Sequence, residues 1–243
     1  MITQFPARTY PPGGAGTTRG SANWPKTHGK SRTVARHERR RQGLRMSLVP
    51  GSDVTVPDDA GWKLTYDDLV ALPEDRLRHE LIDGEHYVTP SPNLKHQAVA
   101  LNIAFLIRVY LRDRRTGGRV FVAPLDVLFS QSDVVEPDVL YVSRARQAEV
   151  LRKKHLVGAP DLVIEIGSKW TRRRDETIKQ KLYERFAVPE YWIVDPVHDA
   201  LKVFRLADAR YVLTAELTRD RGDVLTTPLL PGLELPLAEI FED

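Results

Sequence analysis

Asp138 and Glu165 are acidic residues placed where a sheet core has no use for them. Each sits in a short apolar run with strand character, Asp138 in V-E-P-D-V-L-Y-V-S and Glu165 in D-L-V-I-E-I-G-S. Glu165 lies between Ile164 and Ile166, and an uncompensated buried carboxylate is costly. A cation beside it would make that placement tolerable. The next segment, T-R-R-R-D-E-T-I-K-Q-K-L-Y, carries Asp175, Lys179 and Tyr183 at four-residue spacing, which a helix lines up along one stripe. Carboxylates on neighbouring strands and a lysine from the following helix are the parts needed to hold a hard cation against a phosphodiester. Mg²⁺ takes oxygen ligands, usually one or two carboxylates, and keeps waters and substrate phosphate in its other positions. Such an ion orients an attacking water, lowers its pKa and offsets charge building on the phosphate. A lysine ammonium adds a compact positive charge that can position the water or a phosphate oxygen. The competing reading is structural: the two acids are capped by backbone amides or paired with nearby arginines.

The elements that must position these residues are legible in outline. Thr65 is an N-cap candidate for a short helix over 66–71, stopped by Pro73. Residues 79–82 and 85–88 flank Asp83-Gly84, a two-residue hairpin signal. From Asn93 the spacing predicts a long helix with Val99, Ile103, Leu106, Val109 and Tyr110 on its apolar face, ended by Gly117-Gly118. Strands are expected over 119–123, 126–129, 137–142, 161–166 and 190–194, with a short helix over 144–151. A helix over 172–186 should pack Ile178, Leu182 and Phe186 inward, leaving Lys179 at the edge of the packed face, where it can lean over a strand end. A hairpin over 201–205 and 210–214 follows, then short apolar pieces broken by prolines over 225–240. This order predicts an α/β fold, a mixed sheet with helices on both sides.

Composition narrows the chemistry. No cysteine is present among 243 residues, which excludes disulfides, thiol nucleophiles and Cys-ligated zinc. No apolar run approaches the length of a membrane span, the first thirty residues hold no continuous apolar segment, and cytoplasmic residence is the default expectation. The formal net charge of +3 conceals an asymmetry: residues 1–45 hold ten Lys/Arg and one acid, so the remainder is mildly acidic. Overall basicity is thus no nucleic-acid footprint of the folded body. Residues 1–57 read as a disordered tail, rich in Pro, Gly, Ser and Thr without apolar periodicity, and residues 58–243 as the folded domain. The basic run over 36–45 admits three readings: a DNA-tracking arm, an inert extension, or sequence upstream of a natural start at Met46.

Several stretches together resemble the Uma2 family of the PD-(D/E)XK restriction-endonuclease-like superfamily. They are Glu80-Leu81-Ile82-Asp83-Gly84-Glu85, His96, Glu136-Pro137-Asp138, Pro160 to Ile166, Arg173 to Tyr183, and Val188 to Asp195, in order over about 64–213. The resemblance implies a restriction-endonuclease-like core, a mixed β-sheet flanked by helices. It implies an endonuclease hydrolysing DNA phosphodiester bonds with Mg²⁺, or Mn²⁺ in its place. Asp138 matches the "PD" aspartate and Glu165 the (D/E) position, so both would be metal ligands. Gly167 stands where the usual lysine would be, and Lys179 matches its migrated place on the following helix. Asp175 and Tyr183 match accompanying positions, while Glu80 and His96 match recurrent residues that could add a second metal ligand or a phosphate contact. Where the family often has Leu-Ser-Pro-Ser, this chain has Gly167-Ser168-Lys169-Trp170, making Lys169 a rival for the lysine role. That departure also motivates an alternative, a catalytically decayed module that binds nucleic acid or protein.

The lesser residues have bland readings too. Glu80 could merely pair with Arg78, and His96 could be a capping or surface histidine. Arg172-Arg173-Arg174 could meet phosphate or form a solvated face. Trp192 reads as core, and His155 and His198 carry no partner pattern. DNA is the expected partner, no membrane is, and cutting both strands would favour a homodimer.

Overall fold

The computed structural model describes residues 63–242 except 74, 76, 90 and 168–174, and except the side chains of Asp175 and Glu176. The expectations for the tail, Met46, Lys169 and the arginine run at 172–174 lie outside the described residues, as does the Asp175 side chain. Helix α1 spans Tyr66–Val70, with Asp68 Oδ2 accepting from the Thr65 amide at 2.9 Å and the Thr65 hydroxyl at 2.7 Å. These bonds satisfy donors that a helix start otherwise leaves orphaned.

Strands β1 (Arg78–Ile82) and β2 (Glu85–Thr89) pair antiparallel through the expected two-residue turn. Asp83 and Gly84 both have positive φ, 54° and 78°, as a turn twisting with its strands requires. A Cβ on Gly84 would collide with the backbone and side chain of Lys63. Gly84→Ala is therefore expected to cost about 1–3 kcal/mol, read as a lower urea midpoint with an unchanged slope.

Helix α2 runs Leu94–Asp113, capped by Asn93, whose side chain accepts from the His96 amide at 2.9 Å. It stops before the Gly117-Gly118 pair that was to end it. Its buried face is His96, Val99, Ala100, Ile103, Ala104, Ile107 and Leu111, whereas Leu106 and Tyr110 are only partly buried. The stripe facing the sheet is thus rotated toward Ile107 and Leu111 from the expected one.

Strands β3 (Arg119–Val122), β4 (Val127–Ser130), β5 (Asp133–Val135) and β6 (Val139–Val142) follow. The three-residue β5 was not anticipated. Next come α3 (Gln147–Val150), β7 (Leu156–Val157) and β8 (Leu162–Ile166). A π turn over Asp175–Lys179 leads into α4 (Gln180–Arg185) and then β9 (Glu190–Asp195). The long hairpin β10 (Ala200–Ala207) and β11 (Arg210–Thr218) precedes β12 (Val224–Leu225), β13 (Leu235–Pro236) and α5 (Leu237–Ile240).

The expected mixed sheet is present but divided. One sheet has the order β11-β10-β9-β8-β6-β3, a second β2-β1-β5-β4-β7, and β12 and β13 pair by themselves. Within the first, β8 and β9 are parallel and β6 and β8 antiparallel, so β8 sits at the centre, buried along its length. Side chains alternate across it. Leu162, Ile164 and Ile166 pack with α2 and the C-terminal segment, while Val163 packs with Leu182 and Tyr183 of α4 and with Ile82, Val127 and Val135 of the second sheet. Glu165 shares the parity of Val163, so it points between the two sheets.

Candidate active site

Three elements bring polar groups into that layer. Alternation along β8 delivers Glu165, alternation along β1 delivers Glu80 beside Ile82, and the helix after β8 delivers Lys179 and Tyr183. All four are at most 2% exposed. Lys179 Nζ is 2.8 Å from Glu80 Oε1 and 2.9 Å from Glu165 Oε1, and the Tyr183 hydroxyl donates to the same Glu165 oxygen at 2.5 Å. The Glu136 amide also donates to Glu80 Oε1, at 3.0 Å. Burial, reinforced by the charge of Glu165, pushes the Tyr183 hydroxyl well above its ordinary pKa, so it stays a proton donor.

Here the structure differs from the expected helix face. Ile178 is exposed, and Lys179 is wholly buried rather than at the edge of the packed surface. The π turn, whose hydrogen bonds span one residue more than an α-helix, shifts the face. Lys179 and Tyr183 then both reach Glu165, through an ion pair and a hydrogen bond.

Asp138 immediately precedes β6. The β6–β8 register pairs Val139 with Ile164, and continued by one residue it sets Asp138 opposite Glu165. The Asp138 carboxylate has its own partners. Oδ1 accepts from Arg78 Nη1 at 2.8 Å; Oδ2 accepts from the Ile166 amide at 2.8 Å and lies 3.1 Å from His96 Nε2. Burial alone would raise its pKa, but the His96 contact, the Arg78 charge and the Ile166 amide outweigh burial and hold the group well below the usual carboxylate range. Arg78 therefore pairs with Asp138, and Glu80 pairs with Lys179 rather than with Arg78. His96 is neither a cap nor a surface residue. It is 6% exposed, and its Nδ1 is buried with no hydrogen-bond partner among the described residues.

Glu136 and Arg78 complete the set, and the sequence reading assigned neither a role. Arg78 Nη1 also donates to the Glu136 carbonyl at 3.2 Å, and its Nε is 3.9 Å from the Glu136 carboxylate. Burial pushes the Glu136 carboxyl up to about 7, against the pull of Arg78. Arg78, His96, Glu136 and Asp138 line a cleft of about 570 Å³ together with Thr89, Ser91 and Gln97. Lys179 and Glu165 are not among its lining residues.

Four carboxylates (Glu80, Glu136, Asp138, Glu165) thus stand with two basic side chains, Arg78 and Lys179. Surplus negative charge, hard oxygen donors and a bare buried nitrogen on His96 fit a divalent cation in charge and donor type. Among the described residues no three His, Asp or Glu side chains already converge to hold a metal ion. Ligation by Asp138 and Glu165 therefore requires them to share or leave their present partners.

A family model described as "Uma2: Putative restriction endonuclease" matches residues 66–238. A solved structure, described as "a putative nuclease belonging to DUF820" from Anabaena variabilis, matches with a TM-score of 0.60 and 22% identity, covering 73% of this chain and 97% of that one. At that identity the likeness speaks for the fold, a mixed α/β core. None of the curated proteins compared matches the chain. Among the described residues no helix is long and apolar enough to cross a membrane.

Proposed function

The chain belongs to the Uma2 family, and from that premise we propose that it is a metal-dependent endonuclease hydrolysing phosphodiester bonds of DNA. The observation that carries the reading is the lysine held between two buried carboxylates, 2.8 Å from Glu80 and 2.9 Å from Glu165, beside the strand that faces Asp138. Asp138, a further buried acid, stands across the register from Glu165, so the two carboxylates a hard cation usually takes are on facing residues.

In this reading Asp138 and Glu165 are the ligands of Mg²⁺ or Mn²⁺. A bound divalent ion would supply an acidified, oriented water and offset charge gathering on the phosphate. The protein's own groups do the positioning. Lys179 fixes Glu165 and Glu80 in one orientation and adds its charge at the buried end of the site. Tyr183 donates to the same Glu165 oxygen. His96 orients Asp138 through Oδ2. The cleft leading to Asp138 admits the backbone of the nucleic acid. Cutting both strands of a duplex would bring two copies of the chain together.

Incubation of the protein with supercoiled plasmid tests the proposal. Nicking or linearisation is expected with Mg²⁺ or Mn²⁺ and none with EDTA; cleavage that survives EDTA overturns the metal role.

One observation favours a second reading. Both Asp138 oxygens are already engaged, by Arg78, His96 and the Ile166 amide, as they would be in a scaffold that has lost catalysis. Calorimetry separates the two: a pure binding module shows no Mg²⁺ or Mn²⁺ site dependent on Asp138 and Glu165.

A further inference from the structure

Resting on the metal-dependent reading of this same site, we propose that Arg78 is an exchange residue, holding Asp138 while no cation is bound and turning to the DNA phosphate once Asp138 takes the cation. Among the described residues Arg78 is the one lysine or arginine that lines the cleft; Lys179 lies behind, buried between Glu80 and Glu165. A nucleic-acid backbone entering the cleft therefore meets the guanidinium before any ammonium.

Geometry supports the exchange. All the hydrogen bonds Arg78 makes to described residues come from Nη1, to Asp138 Oδ1 and the Glu136 carbonyl. Its Nε and Nη2 donors make none. A guanidinium offers five donors in a planar fork that matches phosphate oxygens in pairs. The side chain is 17% exposed and lines the cleft, with Nε 3.9 Å from the Glu136 carboxylate, beyond hydrogen-bond distance.

Charge supplies the driving force. Among the described residues Asp138 Oδ1 has one partner, Arg78, whereas Oδ2 is held by a backbone amide and His96. Oδ1 is thus the oxygen from which a cation can displace a partner without disturbing the strand. A divalent ion and a guanidinium on one carboxylate repel each other, and a phosphate anion arriving in the cleft gives the displaced guanidinium a new partner. The same arginine that opposes cation binding in the empty cleft then favours substrate binding.

The test uses the full chain and two probes: Mn²⁺ alone by calorimetry, and a short fluorescein-labelled DNA duplex, with Ca²⁺ in place of Mg²⁺, by anisotropy. For Arg78→Met the Mn²⁺ dissociation constant is expected to fall severalfold, since the competitor for Asp138 is gone. The duplex dissociation constant should rise on the order of tenfold, the loss expected for a charge-assisted contact. Arg78→Lys keeps the charge without the fork, so its duplex affinity should fall between wild type and Arg78→Met; it also serves if Arg78→Met fails to fold. Wild-type Mn²⁺ binding with both constants unchanged in the variants overturns the Arg78 role and leaves the metal reading standing. Weaker Mn²⁺ binding with unchanged duplex affinity also overturns it, marking Arg78 as a support for Asp138. A wild-type chain that binds no Mn²⁺ overturns the metal reading beneath it.

Discussion

Exchange of Lys179 for methionine is expected to destabilise the domain by about 3–5 kcal/mol at neutral pH, the usual cost of removing one member of a buried ion pair. Lys179 is 1% exposed, and both its carboxylate partners are at most 2% exposed. Methionine fills much of the same volume, so little of the loss comes from a cavity. It comes from two buried carboxylates deprived of their shared cation. By comparison, truncating a buried leucine or isoleucine to alanine costs about 2–5 kcal/mol, so the loss is of the size expected for a core side chain. The pH dependence provides a signature. Without the lysine, the folded-state pKa values of Glu80 and Glu165 should rise above their unfolded values. Groups raised in that way favour the fold at low pH and weaken it as pH climbs through the folded pKa. The gap between Lys179→Met and wild type should therefore widen from mildly acidic to mildly alkaline buffer, as followed by urea unfolding. A gap that stays constant or narrows would refute the buried-charge account.

Removal of the proposed ligands should act on turnover. Asp138→Ala and Glu165→Ala are each expected to reduce Mg²⁺-dependent plasmid cleavage on the order of 10² to 10³-fold, the range seen when a preorganised electrostatic group is lost from a site. Both also strip a partner from a buried cation, Arg78 or Lys179, so folding must be checked independently. Asp138→Asn and Glu165→Gln keep the shape while removing the charge. If they match wild type in circular dichroism and melting yet lose cleavage and Mn²⁺ heat, the loss is one of chemistry. Cleavage near the wild-type rate in well-folded Asp138→Asn would end the case for that aspartate as a ligand.

How the site came to be legible follows from the range of each interaction. The Asp83-Gly84 turn, the Asn93 cap and the alternation that buries β8 are local, set by a few adjacent residues. An acid inside an apolar strand announces itself, because burial makes it costly unless something answers it. Glu165 and Asp138 could be singled out in that way, Lys179 and Tyr183 by their four-residue spacing and the family resemblance, and the structure brings both onto Glu165. Arg78 and Glu136 gave no such signal. Arginine and glutamate near a strand end are ordinary, and only their neighbours across the layer give them meaning.

What the sequence determined by itself is the inventory: an α/β domain without thiols, two misplaced acids on separate strands, and a lysine with a tyrosine one helical turn beyond it. Tertiary structure alone decided the pairing. Glu80 goes to Lys179 and Arg78 to Asp138 because β1 belongs to a second sheet laid across the first, an arrangement no local pattern encodes. The depth of Lys179 was likewise beyond the sequence, since helical periodicity favoured Ile178 as the inward residue. Two carboxylates from separate sheets outbid one apolar contact, and that balance exists only after the sheets have met.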